Sequence, residues 1–191
     1  MALRQLRIEG DSILRKRAKE VKNINDRIRQ LFQDMEETMV ENNGIGIAAP
    51  QVGLLKRMIV VNVGQGVYHM VNPEILEKSQ EQALDIEGCL SLPNYNGTVE
   101  RAKKIRIRYV DEEGVRREIE AEDLFARCIQ HEVDHLDGVL FRDRVEKEIH
   151  LEHPSEEELA YLKEHQLLEK DRDEDAPFEE KEEENTSGEE N

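Results

Sequence analysis

The strongest chemical signal in the chain is His131-Glu132-Val133-Asp134-His135. On a helix, residues four apart are neighbours on one face, so His131 and His135 can offer imidazole nitrogens to a single ion. Glu132 lies roughly 100° round the helix from His131 at 3.6 residues per turn, close enough to reach a water on that ion without ligating it. The chemistry this supports is metal-assisted hydrolysis, with two histidine ligands and a carboxylate that moves a proton. The bland alternative is a pair of surface histidines on an amphipathic helix. A chance H-E-x-x-H is rare at average composition, which favours the metal site.

A catalytic ion needs three protein ligands and an open position. Cys128 shares a helix face with both histidines, but it is seven residues from His135, about 10.5 Å along the axis at 1.5 Å per residue. Ligand bonds of about 2.0–2.3 Å cannot close that gap while keeping His131, so Cys128 reads as a small buried residue beside the site. Cys89, in E-G-C-L-S (87–91), is the leading third ligand. A thiolate is a strong ligand, an adjacent dication keeps it deprotonated, and Gly88 lets the backbone approach closely. Taken alone, the segment is equally consistent with a buried cysteine in a strand. Metallopeptidases built on H-E-x-x-H often take a glutamate from a helix some 20 residues downstream, and Glu156 and Glu157 are placed for that. Under that reading the Cys89 segment has no purpose. A non-catalytic metal-binding or interaction protein, in turn, would have no use for Glu132. A further segment, G-I-G-I-A-A-P-Q (44–51), lacks the phosphate-binding glycine pattern and follows a helix rather than a strand. Its glycines suit a tight turn or a closely approaching ligand, and Gln51 offers a neutral amide donor after a stiffening proline. Alone it reads as a helix-to-strand loop.

These residues must be positioned by the elements around them. Asp11 is a candidate N-cap for a short helix carrying I-L-R-K-R-A-K-E-V. A longer helix is expected over about 25–43, with Ile28, Leu31, Phe32, Met35 and Met39 at helical spacing and Gly44 at the C′ position. The apolar run 58–63 reads as a strand, turned at Gly64 and Gly66 into a partner at 67–73. Residues 104–110 alternate as a half-buried strand does, 111–114 form a turn, and 115–121 return. The metal-bearing helix spans 123–138 and is stopped by Gly138. A last helix starts at Ser155, where Glu158 completes a capping box. The pattern gives an α+β fold, with antiparallel β-sheets packed around a central H-E-x-x-H helix.

The formal net charge is −17, and the segment 169–191 alone carries −9. That balance argues against phosphate-backbone binding and against an anionic membrane surface, so neither nucleic acid nor membrane is an expected partner. The domain reading is a catalytic unit over 1–168 and an acidic tail, 169–191, too charged to pack a core and expected to be disordered. The opening M-A-L-R-Q-L-R-I-E-G-D has no apolar stretch and reads as neither signal peptide nor membrane span; the expected location is cytoplasmic. The two cysteines, Cys89 and Cys128, are expected to be free thiols, since nothing marks a secreted chain.

G-I-G-I-A-A-P-Q, E-G-C-L-S and H-E-V-D-H, in that order, resemble the three signature motifs of the peptide deformylases. The likeness extends to G-D-S-I-L-R (10–15), V-E-R (99–101) and G-V-L-F-R-D-R (138–144), and covers about residues 1–150. The absence of long insertions between the motifs is similar to the compact, bacterial class. The resemblance implies hydrolytic removal of the formyl group from the N-terminal formyl-methionine of new polypeptides, releasing formate. It implies Cys89, His131 and His135 as ligands of one divalent ion, ferrous iron in the family, with nickel or zinc as other occupants. It gives Glu132 the acid/base role, and turns the Gln51 side chain and the Leu90 backbone N–H toward the developing oxyanion. Gly46 and Gly88 would pair with the substrate backbone, while Ile45, Leu124 and Cys128 would wall the methionine pocket. Glu87 would pair with Arg101 to steady the cysteine loop. Some members dock transiently on the ribosome through a basic C-terminal extension, and the acidic tail here departs from that mode.

Overall fold

A computed structural model describes residues 3–168; the tail assigned above to 169–191 lies outside the described residues. Three helices and eight strands form in the order α1 (Asp26–Glu41), β1 (Gly46–Ala48), β2 (Met58–Val61), β3 (Tyr68–Lys78), β4 (Gln82–Cys89), β5 (Leu92–Ala102), β6 (Lys104–Val110), β7 (Arg116–Glu122), α2 (Asp123–Leu136), β8 (Lys147–Ile149) and α3 (Glu156–Glu164). Two antiparallel sheets result, one ordered β1-β2-β3-β6-β7 and one ordered β4-β5-β8. The α+β reading therefore holds. α2 packs on the inner face of the larger sheet, where Ala126, Ile129 and Leu136 meet Ile59, Met70 and Ile107 in one buried cluster. α1 covers a second cluster, setting Phe32, Met35 and Met39 against Ile47, Met58 and Val60.

The Asn25 side chain accepts from the Ile28 N–H (3.2 Å) and caps α1 as its type allows. The stop differs from expectation. Asn43, not Gly44, takes the left-handed turn (φ 54°), and the Gly44 N–H closes on Met39 O at 2.9 Å. A Cβ at Gly44 would lie 2.8 Å from Leu90 Cδ1 and 3.3 Å from Met39 O, so the Leu90 side chain would have to shift. The helix expected after Asp11 is a correction. Only one 3-10 turn forms, Ser12–Arg15, with Asp11 capping Ile13 N. Leu14, Ala18 and Val21 have helical spacing, but from Lys16 on the chain runs extended, with Ala18 N–H bonded to Leu136 O (2.8 Å) and Lys19 bridged beside Lys56. Long-range hydrogen bonds replace the local ones, and tertiary context outweighs a marginal period.

Two strands exceed their sequence reading. β3 continues five residues past Pro73, because the register with β6 shifts between Val71 and Glu74 and Asn72 turns left-handed (φ 51°). A proline that cannot join a ladder is tolerated at such a bulge. The long hairpin of β4 and β5 has no clear alternation in the sequence to mark it. Its apolar residues divide between two sides: Leu84 and Ile86 pack toward α3, and Leu92 and Val99 pack with Leu140 and Phe141. No helix of the described residues is long and apolar enough to cross a membrane.

Candidate metal centre

The helix α2, the β4–β5 hairpin and the segment through β1 converge on one buried point. His131, Glu132 and His135 project from α2 and are at most 8% exposed. Cys89 reaches them from the end of β4, where the pairing with β5 slips between Gly88 and Cys89. Such a bulge re-aims a side chain and is common beside active sites. The Cys89 Sγ, a His131 ring nitrogen and a His135 ring nitrogen lie within 4.8 Å of one another, and Cys89 Sγ is 3.2 Å from His135 Nε2. A tetrahedral dication with bonds of about 2.0–2.3 Å holds its ligand atoms roughly 3.3–3.8 Å apart, so small side-chain adjustments suffice to seat one. One thiolate and two imidazoles are a fitting donor set for a divalent transition metal.

Around the cluster the chemistry is directed. Glu87 Oε2 binds His131 Nδ1 at 3.0 Å, which turns the other ring nitrogen toward the centre. Burial would raise the Glu87 carboxyl, but hydrogen bonds from Arg101 and His131, with their charges, outweigh it and hold it far below the usual carboxylate range. Burial lowers His135 well below the ordinary imidazole value, leaving the neutral form that ligates. Burial likewise pushes the Glu132 carboxyl up to about 7, against the pull of the His131 charge. Its Oε2 is buried without a hydrogen-bond partner, as is Nδ1 of His135. Buried polar atoms in that state are costly unless something else meets them, so Glu132 has a free oxygen beside the ligand cluster. Burial, with the charges of Glu132 and Glu87, pushes the Cys128 thiol up, and Cys128 sits outside the cluster as the distance argument requires.

Gln51 is fixed from both ends. Its Oε1 accepts from the Ala48 N–H (2.8 Å), and its Nε2 donates to Ser91 Oγ (3.2 Å) and to Cys89 Sγ (3.6 Å). The amide N–H₂ is thus turned toward the cysteine. A cleft of about 330 Å³ opens from this point between β1 and β4, each the outer strand of its sheet. Ten of the eleven expected site residues line it: Ile45, Gly46, Gln51, Gly88, Cys89, Leu90, Leu124, Cys128, His131 and Glu132. His135 lies beneath the floor, at 1% exposure. Ile45 and Leu124, 45% and 51% exposed, form an apolar mouth. Gly46 is pressed against the floor: a Cβ there would sit 2.6 Å from Cys128 Sγ and closer still to Glu132 Oε1.

The expected pair of Glu87 with Arg101 is present and forked, at 2.8 and 2.9 Å. Sequence reasoning did not single out Arg127, which also donates to Glu87 (2.7 Å), nor the start of β5, residues 93–96, which supplies one rim of the cleft. The distant-glutamate alternative is not realised among the described residues. Glu157 faces Lys147 at 3.1 Å, and neither it nor Glu156 joins the cluster.

This geometry agrees with what the chain is similar to. The family model for polypeptide deformylase matches residues 3–150. The curated peptide deformylase of Finegoldia magna is 51% identical over 147 residues, spanning 76% of this chain and 91% of that protein. The crystal structure of peptide deformylase from Thermotoga maritima superposes with a TM-score of 0.76 at 42% identity, covering 77% of this chain and all of that one. The Met-Ala-Ser-bound class I type b peptide deformylase from Acinetobacter baumannii gives 0.73 at 40% identity, over 75% and 99% of the two chains. With a family match over most of its length and relatives at about half identity, the chain belongs to the polypeptide deformylase family.

Proposed function

We propose that Cys89, His131 and His135 hold one divalent ion in this chain and that Glu132 is its acid/base group. The family removes the N-terminal formyl group from nascent polypeptides, and this chain is an enzyme of that family. The single observation behind the residue assignment is the partnerless, buried Glu132 oxygen beside a Cys/His/His cluster at the floor of a cleft.

In this reading the formylated peptide lies extended between β1 and β4 and pairs its backbone with Gly46 and Gly88, as an added strand does. The methionine side chain enters between Ile45, Leu124 and Cys128, whose thiol stays protonated and apolar. When bound, a divalent ion supplies a Lewis acid that brings the pKa of water to about 7. Glu132 takes a proton from the water that attacks the formyl carbon. The Gln51 amide and the Leu90 N–H donate to the carbonyl oxygen as charge builds on it; one such donor is typically worth about 2.7–4 kcal/mol. Glu132 then delivers its proton to the leaving nitrogen, the C–N bond breaks, and formate and a free methionyl amine result. The Met-Ala-Ser seen in the Acinetobacter relative is the class of product this pathway releases.

The reading assigns catalysis to residues 1–168 and none to 169–191. It takes ferrous iron as the ion, with nickel or zinc as alternative occupants. It places the enzyme in the cytoplasm, where formylated chains emerge, with any ribosome association transient. The experiment is release of formate from formyl-Met-Ala-Ser, with an unformylated internal peptide as control. Cleavage of the control with no formate release would refute the reading.

A further inference from the structure

The metal ligand His131 is held by a chain of charged groups that runs from the site to the surface. Glu87, on β4, accepts from His131 Nδ1. Arg101, on β5, spends its Nε and Nη2 on the two Glu87 oxygens and its Nη1 on Asp134 Oδ2 at 2.6 Å. Asp134 is then gripped by Arg144, with Nε to Oδ2 at 2.6 Å and Nη2 to Oδ1 at 2.7 Å. The side chains of Glu87, Arg101 and Asp134 are 5%, 4% and 13% exposed, and that of Arg144 is 44% exposed. Asp134 is three residues from His131 on α2, so the chain leaves that helix, crosses the hairpin and returns to it.

We propose that Asp134 is a positioning residue for His131, acting through Arg101 and Glu87 and itself held by Arg144. A guanidinium is planar, and its donors point in fixed directions, so two forked bonds to Glu87 fix the carboxylate only if the plane of Arg101 is itself fixed. The Nη1 bond to Asp134 is the contact that fixes it. Glu87 in turn sets the tautomer and orientation of His131, and partners of this kind typically carry 10–100-fold in metal affinity or activity. Arg127 restrains Glu87 Oε1 from the other side but does not touch Arg101 or Asp134. The inference rests on His131 being a ligand, as proposed above, and the test is chosen so that the two can fail separately.

The experiment uses the full chain loaded with Zn²⁺ and follows release of the ion to a chelator, thermal midpoint, and the Nδ1–H proton resonance of His131. Asp134→Asn is expected to release zinc roughly tenfold faster, at the low end of the usual range because it acts one contact further out, and to move the His131 resonance. Arg144→Gln, at an exposed position, is expected to do the same about two- to threefold. In a Glu87→Gln background, Asp134→Asn should add nothing, because its route to His131 is already cut. A folded Asp134→Asn protein with unchanged release and an unmoved resonance overturns the proposal. So does a lowered thermal midpoint with unchanged release, which marks a purely structural role, or an additive effect in the double variant. If Asp134→Asn does not fold, Arg144→Gln decides alone, and no change there overturns the proposal. Zinc binding that survives His131→Ala intact would instead refute the ligand assignment itself.

Discussion

Gly46→Ala adds one methyl group at the point where β1 meets the catalytic helix. The new Cβ would lie 2.6 Å from Cys128 Sγ and would overlap Glu132 Oε1. Ordinary carbon–sulfur contact is about 3.5–4.0 Å, so the two sides must part by roughly 1 Å. Cys128 and Glu132 are 5% and 3% exposed, and both lie at the floor of the cleft, so the room they can take is that of the reaction site itself. Overpacking of this kind costs about 1–3 kcal/mol, and each kcal/mol lowers the midpoint of a domain this size by about 2–4 °C. The loss in catalysis should be larger. A displacement of about 1 Å at a reacting group can cost 10²-fold, and the carboxylate is the group displaced. Deformylation by Gly46→Ala should therefore fall about 10²-fold while bound metal is retained, since none of the three ligands is touched. Gly88→Ala is the control: its Cβ would crowd the Asn96 side-chain oxygen, at 2.8 Å, which can rotate away, and would meet Tyr95 O at an ordinary 3.9 Å, so its midpoint should hardly move. Formate release, metal content and melting would be measured together. A Gly46→Ala enzyme with normal turnover would refute the claim that Glu132 is packed against that backbone.

Cys89→Ala should lose tight metal binding while Glu156→Ala keeps it, as read by elemental analysis after gel filtration; full retention in the Cys89 variant would disprove the ligand set. A chain ending at Lys170 should keep its midpoint and its activity on short formyl peptides; a large fall in either would show that the acidic segment serves the body. Bonds from Ser155 and from His150 hold the Glu158 carboxyl down to about 2, below its ordinary 4.5. Its folded value is depressed, so its contribution is present above about pH 4.5 and is lost as pH falls toward 2. The midpoint difference between wild type and Glu158→Gln should close across that window; a constant difference would contradict the assignment.

Much of the site could be read in the sequence because its chemistry is local. The spacing of His131 and His135 fixes a shared helix face, and the same arithmetic excluded Cys128 as a ligand. The third ligand could not be read from spacing, because Cys89 arrives from a hairpin 42 residues away in sequence. Its aim depends on a bulge between Gly88 and Cys89 that follows from cross-strand register, not from residue type. The β4–β5 hairpin itself escaped because its apolar residues serve two separate clusters, which blurs the period of two. The segment after Asp11 failed in the opposite way: Leu14, Ala18 and Val21 have helical spacing, but bonds to Leu136 and to the Leu55–Arg57 stretch draw the chain straight. Asp134 lay in plain sight within the motif, yet its role depends on Arg101 and Arg144, which only the fold brings to it.

The central claim is that Glu132 moves the proton while its neighbours bind the ion, and metal stoichiometry with kcat on one preparation of Glu132→Gln tests it most directly. Glutamine keeps the size of the side chain and leaves Cys89, His131 and His135 in place. The account predicts a metal-replete protein whose deformylation rate falls by at least the roughly 10²–10⁴-fold usual for loss of general acid–base catalysis. Affinity for the product Met-Ala-Ser should change far less, because the lost interaction belongs to the transition state. A metal-replete Glu132→Gln enzyme with near-normal turnover would contradict the account.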